Sequence, residues 1–222
     1  MLRELLLCSV LVFATSATVA VAEVELPADV QSRLDTLPDD NTKAEYLQEL
    51  ATKSPADFAV QFHLGNTLFD LGKVAEAVTA YEAALKVDGQ HVGSLVNLGS
   101  AYDELGRLDD ALQVYRRALE IEPNEDRTLC NIGGVYFRKR QYEQALEHFD
   151  RALTVNPKSQ LAHYNIAILF ADSQIYNEAI REWEACVAID PQSDLGQRSA
   201  DNIEIIRQMM EAEVPTLEGS ER

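Results

Sequence analysis

Residues 92–125 read VGSLVNLGSAYDELGRLDDALQVYRRALEIEPNE, and residues 126–159 read DRTLCNIGGVYFRKRQYEQALEHFDRALTVNPKS. Laid over one another without a gap, they share a glycine at the eighth place (Gly99, Gly133) and a tyrosine at the eleventh (Tyr102, Tyr136). Alanines recur at the twentieth place (Ala111, Ala145) and the twenty-seventh (Ala118, Ala152). The frame extends both ways: Gly65 precedes Gly99 by 34 residues, Ala77 and Ala179 continue the alanine series, and Asn97, Asn131 and Asn165 are evenly spaced. A period of this length marks a stack of small helical units, not one globular core.

Four units follow: Phe58–His91, Val92–Glu125, Asp126–Ser159 and Gln160–Ser193. Their seventh, eighth and eleventh places hold Leu64, Gly65, Leu68; Leu98, Gly99, Tyr102; Ile132, Gly133, Tyr136; and Ile166, Ala167, Phe170. That spacing puts them on one face of a first helix. The twentieth, twenty-fourth and twenty-seventh places hold Ala77, Tyr81, Ala84; Ala111, Tyr115, Ala118; Ala145, Phe149, Ala152; and Ala179, Trp183, Cys186, on a second helix. Small residues let the helices approach, and the ring fills the gap between pairs. Gly72 and Gly106 fall where the first helix stops in a left-handed residue. Pro123, Pro157 and Pro191 close the second helices.

The pattern resembles the tetratricopeptide repeat family. The resemblance implies an all-α, right-handed α-solenoid of antiparallel helix pairs, a superhelix whose first helices line a concave side where peptides or helices bind. Departures are local. Gly89 stands where a proline is usual, and Arg140 and Gln174 replace the turn glycine, so those turns must differ or bear strain. Within 23–57, Ala28–Leu37 and Asn41–Thr52 read as a degenerate helix pair ending at Ser54-Pro55. Asp194–Met210 reads as a capping helix, sealed by Ile203, Ile206 and Met210, with Asp201 at the eighth place. Residues 211–222, with Pro215 and Gly219, read as a loose tail.

Residues 1–22 are outside the repeat. Leu5–Phe13 is almost unbroken apolar sequence after Arg3, and Ala20-Val21-Ala22 is a small-x-small cleavage pattern. This reads as a secretory signal and an exported, periplasmic chain. The alternative is an uncleaved anchor in the inner membrane formed by residues 5–22. Of the remaining cysteines, Cys130 is expected in the groove and Cys186 in the core, too far apart for a disulfide. A net charge of −18 argues against general nucleic-acid or anionic-membrane binding and is compatible with a basic protein partner.

No catalytic constellation, metal spacing or cofactor motif is present: the four histidines lack ligand spacing, and neither a phosphate loop nor a nucleophile elbow occurs. The chain reads as no enzyme, without cofactor or metal. Binding residues are implied by the resemblance, through the places that face the concave side. Phe62, Val96, Cys130 and Tyr164 stand at the fifth, and Phe69, Asp103, Phe137 and Ala171 at the twelfth, giving an apolar and aromatic floor walled by Asp70, Glu104, Arg138 and Asp172. Asn97, Asn131 and Asn165 at the sixth place could pair with an extended peptide backbone or support only local hydrogen bonds. Arg127 and Arg138 alone occupy the places that grip a terminal carboxylate in one subclass, too few for a two-carboxylate clamp. The expected function is a protein-binding adaptor or assembly factor, against a self-associating envelope scaffold or a helper subunit of a maturation enzyme.

Overall fold

A computed structural model describes residues 24–213, so the expected leader and most of the expected tail lie outside the described residues. Among the described residues there are eleven α-helices and no strand. In order these are α1 (Ala28–Asp35), α2 (Asp40–Lys53), α3 (Phe58–Asp70), α4 (Val74–Val87), α5 (Val92–Glu104), α6 (Leu108–Ile121), α7 (Asp126–Arg138), α8 (Tyr142–Val155), α9 (Gln160–Asp172), α10 (Tyr176–Ile189) and α11 (Asp194–Glu213). The described chain divides into two compact bodies, 24–135 and 136–213, with α7 running from the first into the second.

The first helices begin at a side-chain acceptor that recurs every 34 residues. Asp57 accepts from the Val60 amide at 3.1 Å, His91 Nδ1 from Ser94 at 3.0 Å, and Glu125 from Thr128 at 2.5 Å. Ser159 accepts from Ala162 at 3.4 Å, and Ser193 from Gly196 at 3.0 Å at the head of α11. Each satisfies an amide that the helix itself leaves unpaired. The second helices of the four units have no such cap: Lys73, Arg107, Gln141 and Ile175 precede them without a side-chain bond to the helix's free amides.

Instead, the turn before each second helix is fixed from the other side. Gly72 donates to the Phe69 carbonyl and Lys73 to Leu68; Gly106 donates to Asp103 and Arg107 to Tyr102. These paired bonds form a Schellman motif, whose pivot must be left-handed. Gly72 and Gly106 have φ of +71° and +72°. Arg140 and Gln174 make the same bonds, to Phe137 and Ala171, at φ of 57° and 63°. The turns are therefore preserved, and the side chains at these two pivots carry backbone strain.

In the first body the core is the meeting of small and aromatic residues. A Cβ added to Gly65 would stand 2.5 Å from the Tyr81 ring, and one on Gly99 would overlap the Tyr115 ring. Both rings are buried, as are Ala77, Ala84, Ala111 and Ala118. In the second body Ala145, Phe149, Ile166 and Leu169 form one cluster, and Ala167, Ala179, Trp183 and Cys186 another with Ile203 and Ile206 of α11. The outward side of α11 is polar, with Asp201, Glu204, Gln208 and Glu211 exposed.

Helix α2 is one residue longer at each end than the Asn41–Thr52 of the sequence reading, and two boundaries differ by more. The first helix ends at Asp35, not Leu37, because Leu37 precedes Pro38 and is steered away from the helical region. Helix α11 continues to Glu213, three residues beyond Met210, since no breaker intervenes before Pro215.

Two predictions follow from the helix ends. Replacing Arg140 and Gln174 by glycine should stabilise the chain by about 0.5–1 kcal/mol each, a shift of roughly 2–4 °C per kcal/mol in a melt. Gly72→Ala and Gly106→Ala should act in the opposite sense, although nothing lies within 4 Å of the added methyl. The second concerns the His91 cap, which requires a neutral imidazole with its proton on Nε2. Burial lowers its pKa from the ordinary 6.5, and the nearby carboxylates of Asp88 and Glu122 only partly oppose this. The unfolded chain then takes up the proton first. The capping contribution, about 1 kcal/mol, is complete above that ordinary value and is lost as pH falls through the lower folded-state value. Urea titrations across this range should show wild type losing stability relative to His91→Asn, whose amide caps at every pH.

Candidate partner-binding face

The first helices carry the expected binding positions, and the structure sorts these by depth. Those at the fifth place are core: Phe62 is 9% exposed, Val96 2%, Cys130 1% and Tyr164 4%. The expectation that Phe62 and Tyr164 floor an open groove is therefore corrected. Phe62 is enclosed by the rings of Phe58 at 6.0 Å, His91 at 5.1 Å and Tyr81 at 6.4 Å. Tyr164 lies in the cluster with Trp183, Ile203 and Ile206, with the Arg198 guanidinium 5.2 Å from its ring centre. At both sites, residues of the following helix or its cap cover the ring.

Cys130 is corrected for the same reason: it is buried, not groove-facing. The Cys186 sulfur stands 3.6 Å from the Gln160 and Leu195 carbonyls, and burial pushes its thiol pKa up, which leaves it unreactive. Neither cysteine forms a disulfide.

The sixth-place asparagines are all half-buried. Asn97 donates to the Asn66 oxygen at 2.9 Å, and the Tyr81 hydroxyl donates to the same oxygen at 2.9 Å. The local role expected of this residue is thus present. Its carboxamide is oriented by a bond that ties α5 to α3. His63, which breaks the asparagine series, stands with Nε2 2.5 Å from the Val24 carbonyl and holds the start of the described chain against α3.

The twelfth and thirteenth places are more open. In the first body Phe69 is half-buried, and Asp70 and Glu104, the last residues of α3 and α5, are exposed. In the second body Phe137 is half-buried, its ring 5.6 Å from that of Tyr142. Arg127 and Arg138 are half-buried, and each already has an interaction within the protein. The basic run at 138–140 is similarly committed to its turn: Arg140 donates to the Tyr142 hydroxyl at 3.0 Å, which donates to Asp172 at 2.8 Å.

The repeating first-helix caps and the Asn66 bridge were missed in the sequence. The caps left a signal in their spacing, Asp57, His91, Glu125, Ser159 and Ser193, but not in residue type. Asn66 left none, because the ninth place is not repeated. Among the described residues no group of three or more histidine, cysteine or acidic side chains could hold a metal ion.

Comparison with known proteins agrees with this architecture. One family model described as tetratricopeptide repeat matches residues 44–82 and 62–126, and a second of the same description matches 127–159, together more than half of the 222-residue chain. No curated protein matches by sequence. Among solved structures, a crystal structure of MamA is 16% identical, covers 76% of this chain and 97% of its own, and superposes with a TM-score of 0.64. MamA from residue 41 to its end, from Desulfovibrio magneticus RS-1, is 19% identical over 79% of this chain and 99% of its own, with a TM-score of 0.64. A tetratricopeptide repeat protein from Parabacteroides merdae ATCC 43184 is 27% identical, with coverages of 81% and 71% and a TM-score of 0.66. The MamA likenesses, both under 25% identical, speak to the fold alone, an all-α solenoid. This chain belongs to the tetratricopeptide repeat family.

Proposed function

We propose that this chain is a non-catalytic adaptor or assembly factor of an exported compartment, a periplasm, that holds a peptide or helix of a partner protein on its first-helix face. The observation that carries this reading is the division of labour among first-helix positions. The fifth-place residues are consumed by the core, whereas Phe69, Asp70, Asn97 and Glu104 remain at or near the surface of the first body. Asn97 is held in place by Asn66, which lowers the ordering cost of pairing with an incoming backbone.

The export part of the proposal rests on Leu5–Phe13 and the Ala20-Val21-Ala22 pattern. Among the described residues no helix is long and apolar enough to cross a membrane, so tethering would fall to residues 5–22 if they were retained. The polar outward side of α11 favours an adaptor over a scaffold growing from that end.

A photo-crosslinking residue at position 69, with a control at the exposed Glu147 of α8, tests the proposal in the cells that make the protein. The expected result is a discrete partner adduct from position 69 alone, on a chain whose amino terminus, read by mass spectrometry, is Glu23. Adducts from position 147 alone, or adducts between copies of this chain, would overturn the adaptor reading. An intact Met1 terminus would replace export by anchorage.

A further inference from the structure

Residues 24–27 run extended before α1 begins at Ala28. Burial alternates along them: Val24 is half-buried, Glu25 exposed and Leu26 buried, as an extended segment laid against a surface requires. That surface includes α3, where His63 Nε2 donates to the Val24 carbonyl. His63 stands at the sixth place of its unit, the place of Asn97 in the next. Asn97 bonds to a side chain of the fold, Asn66, whereas His63 bonds to extended main chain. Asparagine thus gives way to a longer donor in the unit that holds such a segment. One end of the first-helix face is already occupied, by the chain itself.

Leu26 enters a space that it does not fill. It forms one wall of a cleft of about 500 Å³ that it shares with Leu34, Leu37, Leu47, His63 and Thr67. The charged residues on this cleft, Asp35 and Lys43, are opposite in sign, so apolar volume and the His63 donor decide what fits. Residues 24–26 precede α1 and can leave the face without unwinding a helix. We propose that they are a built-in occupant, displaced when a partner protein binds. The partner supplies an extended segment of the same pattern, two apolar residues flanking one that faces solvent, with a main-chain carbonyl on His63. In place of Leu26 it carries a larger apolar side chain. That side chain reaches further into the cleft and offsets the advantage that tethering gives the chain's own segment. Segments that match less well are turned away, because an occupied face lowers their apparent affinity. This rests on the adaptor reading and deepens it by naming the form of the ligand.

Two labelled peptides test this on the full chain by fluorescence anisotropy: EVELPAD, which is residues 23–29, and the same peptide carrying Leu26→Phe. A Leu26→Ser chain, whose own segment is loosened, should bind both about tenfold more tightly than wild type, and the phenylalanine peptide the more tightly of the two. A His63→Leu chain also loosens the segment but lacks the donor that the peptide needs, so it should gain nothing. A nitroxide on Glu25→Cys follows displacement in a chain whose core is untouched, and it attaches selectively because Cys130 and Cys186 are buried. Saturation with the phenylalanine peptide should make that label more mobile. Peptides that bind wild type and Leu26→Ser equally or not at all, or a label whose motion does not change, would overturn the inference. The adduct at position 69 separates the two readings. If it forms while the peptides fail, the adaptor stands without a built-in occupant; if it is absent, both readings fall.

Discussion

Everything else in this chain depends on the contact between a bare helix backbone and an aromatic ring. At Gly65 and Gly99 the first helix presents no side chain, and Tyr81 and Tyr115 of the second helix lie against that gap so closely that a methyl group could not enter. A fully buried ring of this kind is worth about 1.5–3 kcal/mol relative to an exposed one. More is at stake than burial, however, because the contact fixes the distance between the two helices and hence the surface each pair offers its neighbour. The fourth pair solves the same problem with Ala167 and Trp183, both wholly buried. There the larger ring accompanies a first helix that is not bare.

This explains why the fold was legible and the binding face only partly so. Glycine and aromatic at fixed places are demanded by geometry, so they survive as a readable pattern. The first-helix caps are demanded only to offer an acceptor, which aspartate, histidine, glutamate and serine all do. Their identity therefore drifts while their spacing does not. The Schellman turns sit between these cases: Gly72 and Gly106 were readable, and Arg140 and Gln174 keep the bonds at the cost of strain. The family models end at residue 159, and Ala167, Gln174 and Trp183 are among the departures in the pair beyond.

The misreading of the fifth place has a similar origin. Position along one helix says which residues share a side, not how much of that side the next helix covers. Phe62 and Tyr164 share a place number with residues that a family likeness puts in a groove, yet both are enclosed, Phe62 beneath the cap histidine and Tyr164 beneath the guanidinium of α11. Only the packed neighbour decides this, and the sequence of a single unit does not contain it. The same dependence gives Asn97 its meaning, since its orientation comes from Asn66 and Tyr81 in the preceding pair.

Once the second helices and the fifth places have supplied the core, the outer ends of the first helices are left with little structural duty. Whatever stands there is free to answer to electrostatics or to a partner. Arg138 at the end of α7 answers to the helix, whose terminal carbonyls favour a cation. Asp70 and Glu104 end their helices on a carboxylate instead, with Lys73 and Arg107 following one residue after the pivot glycine. The contrast between these ends and the small-residue–aromatic contacts behind them separates the part of each unit that builds the stack from the part that faces outward.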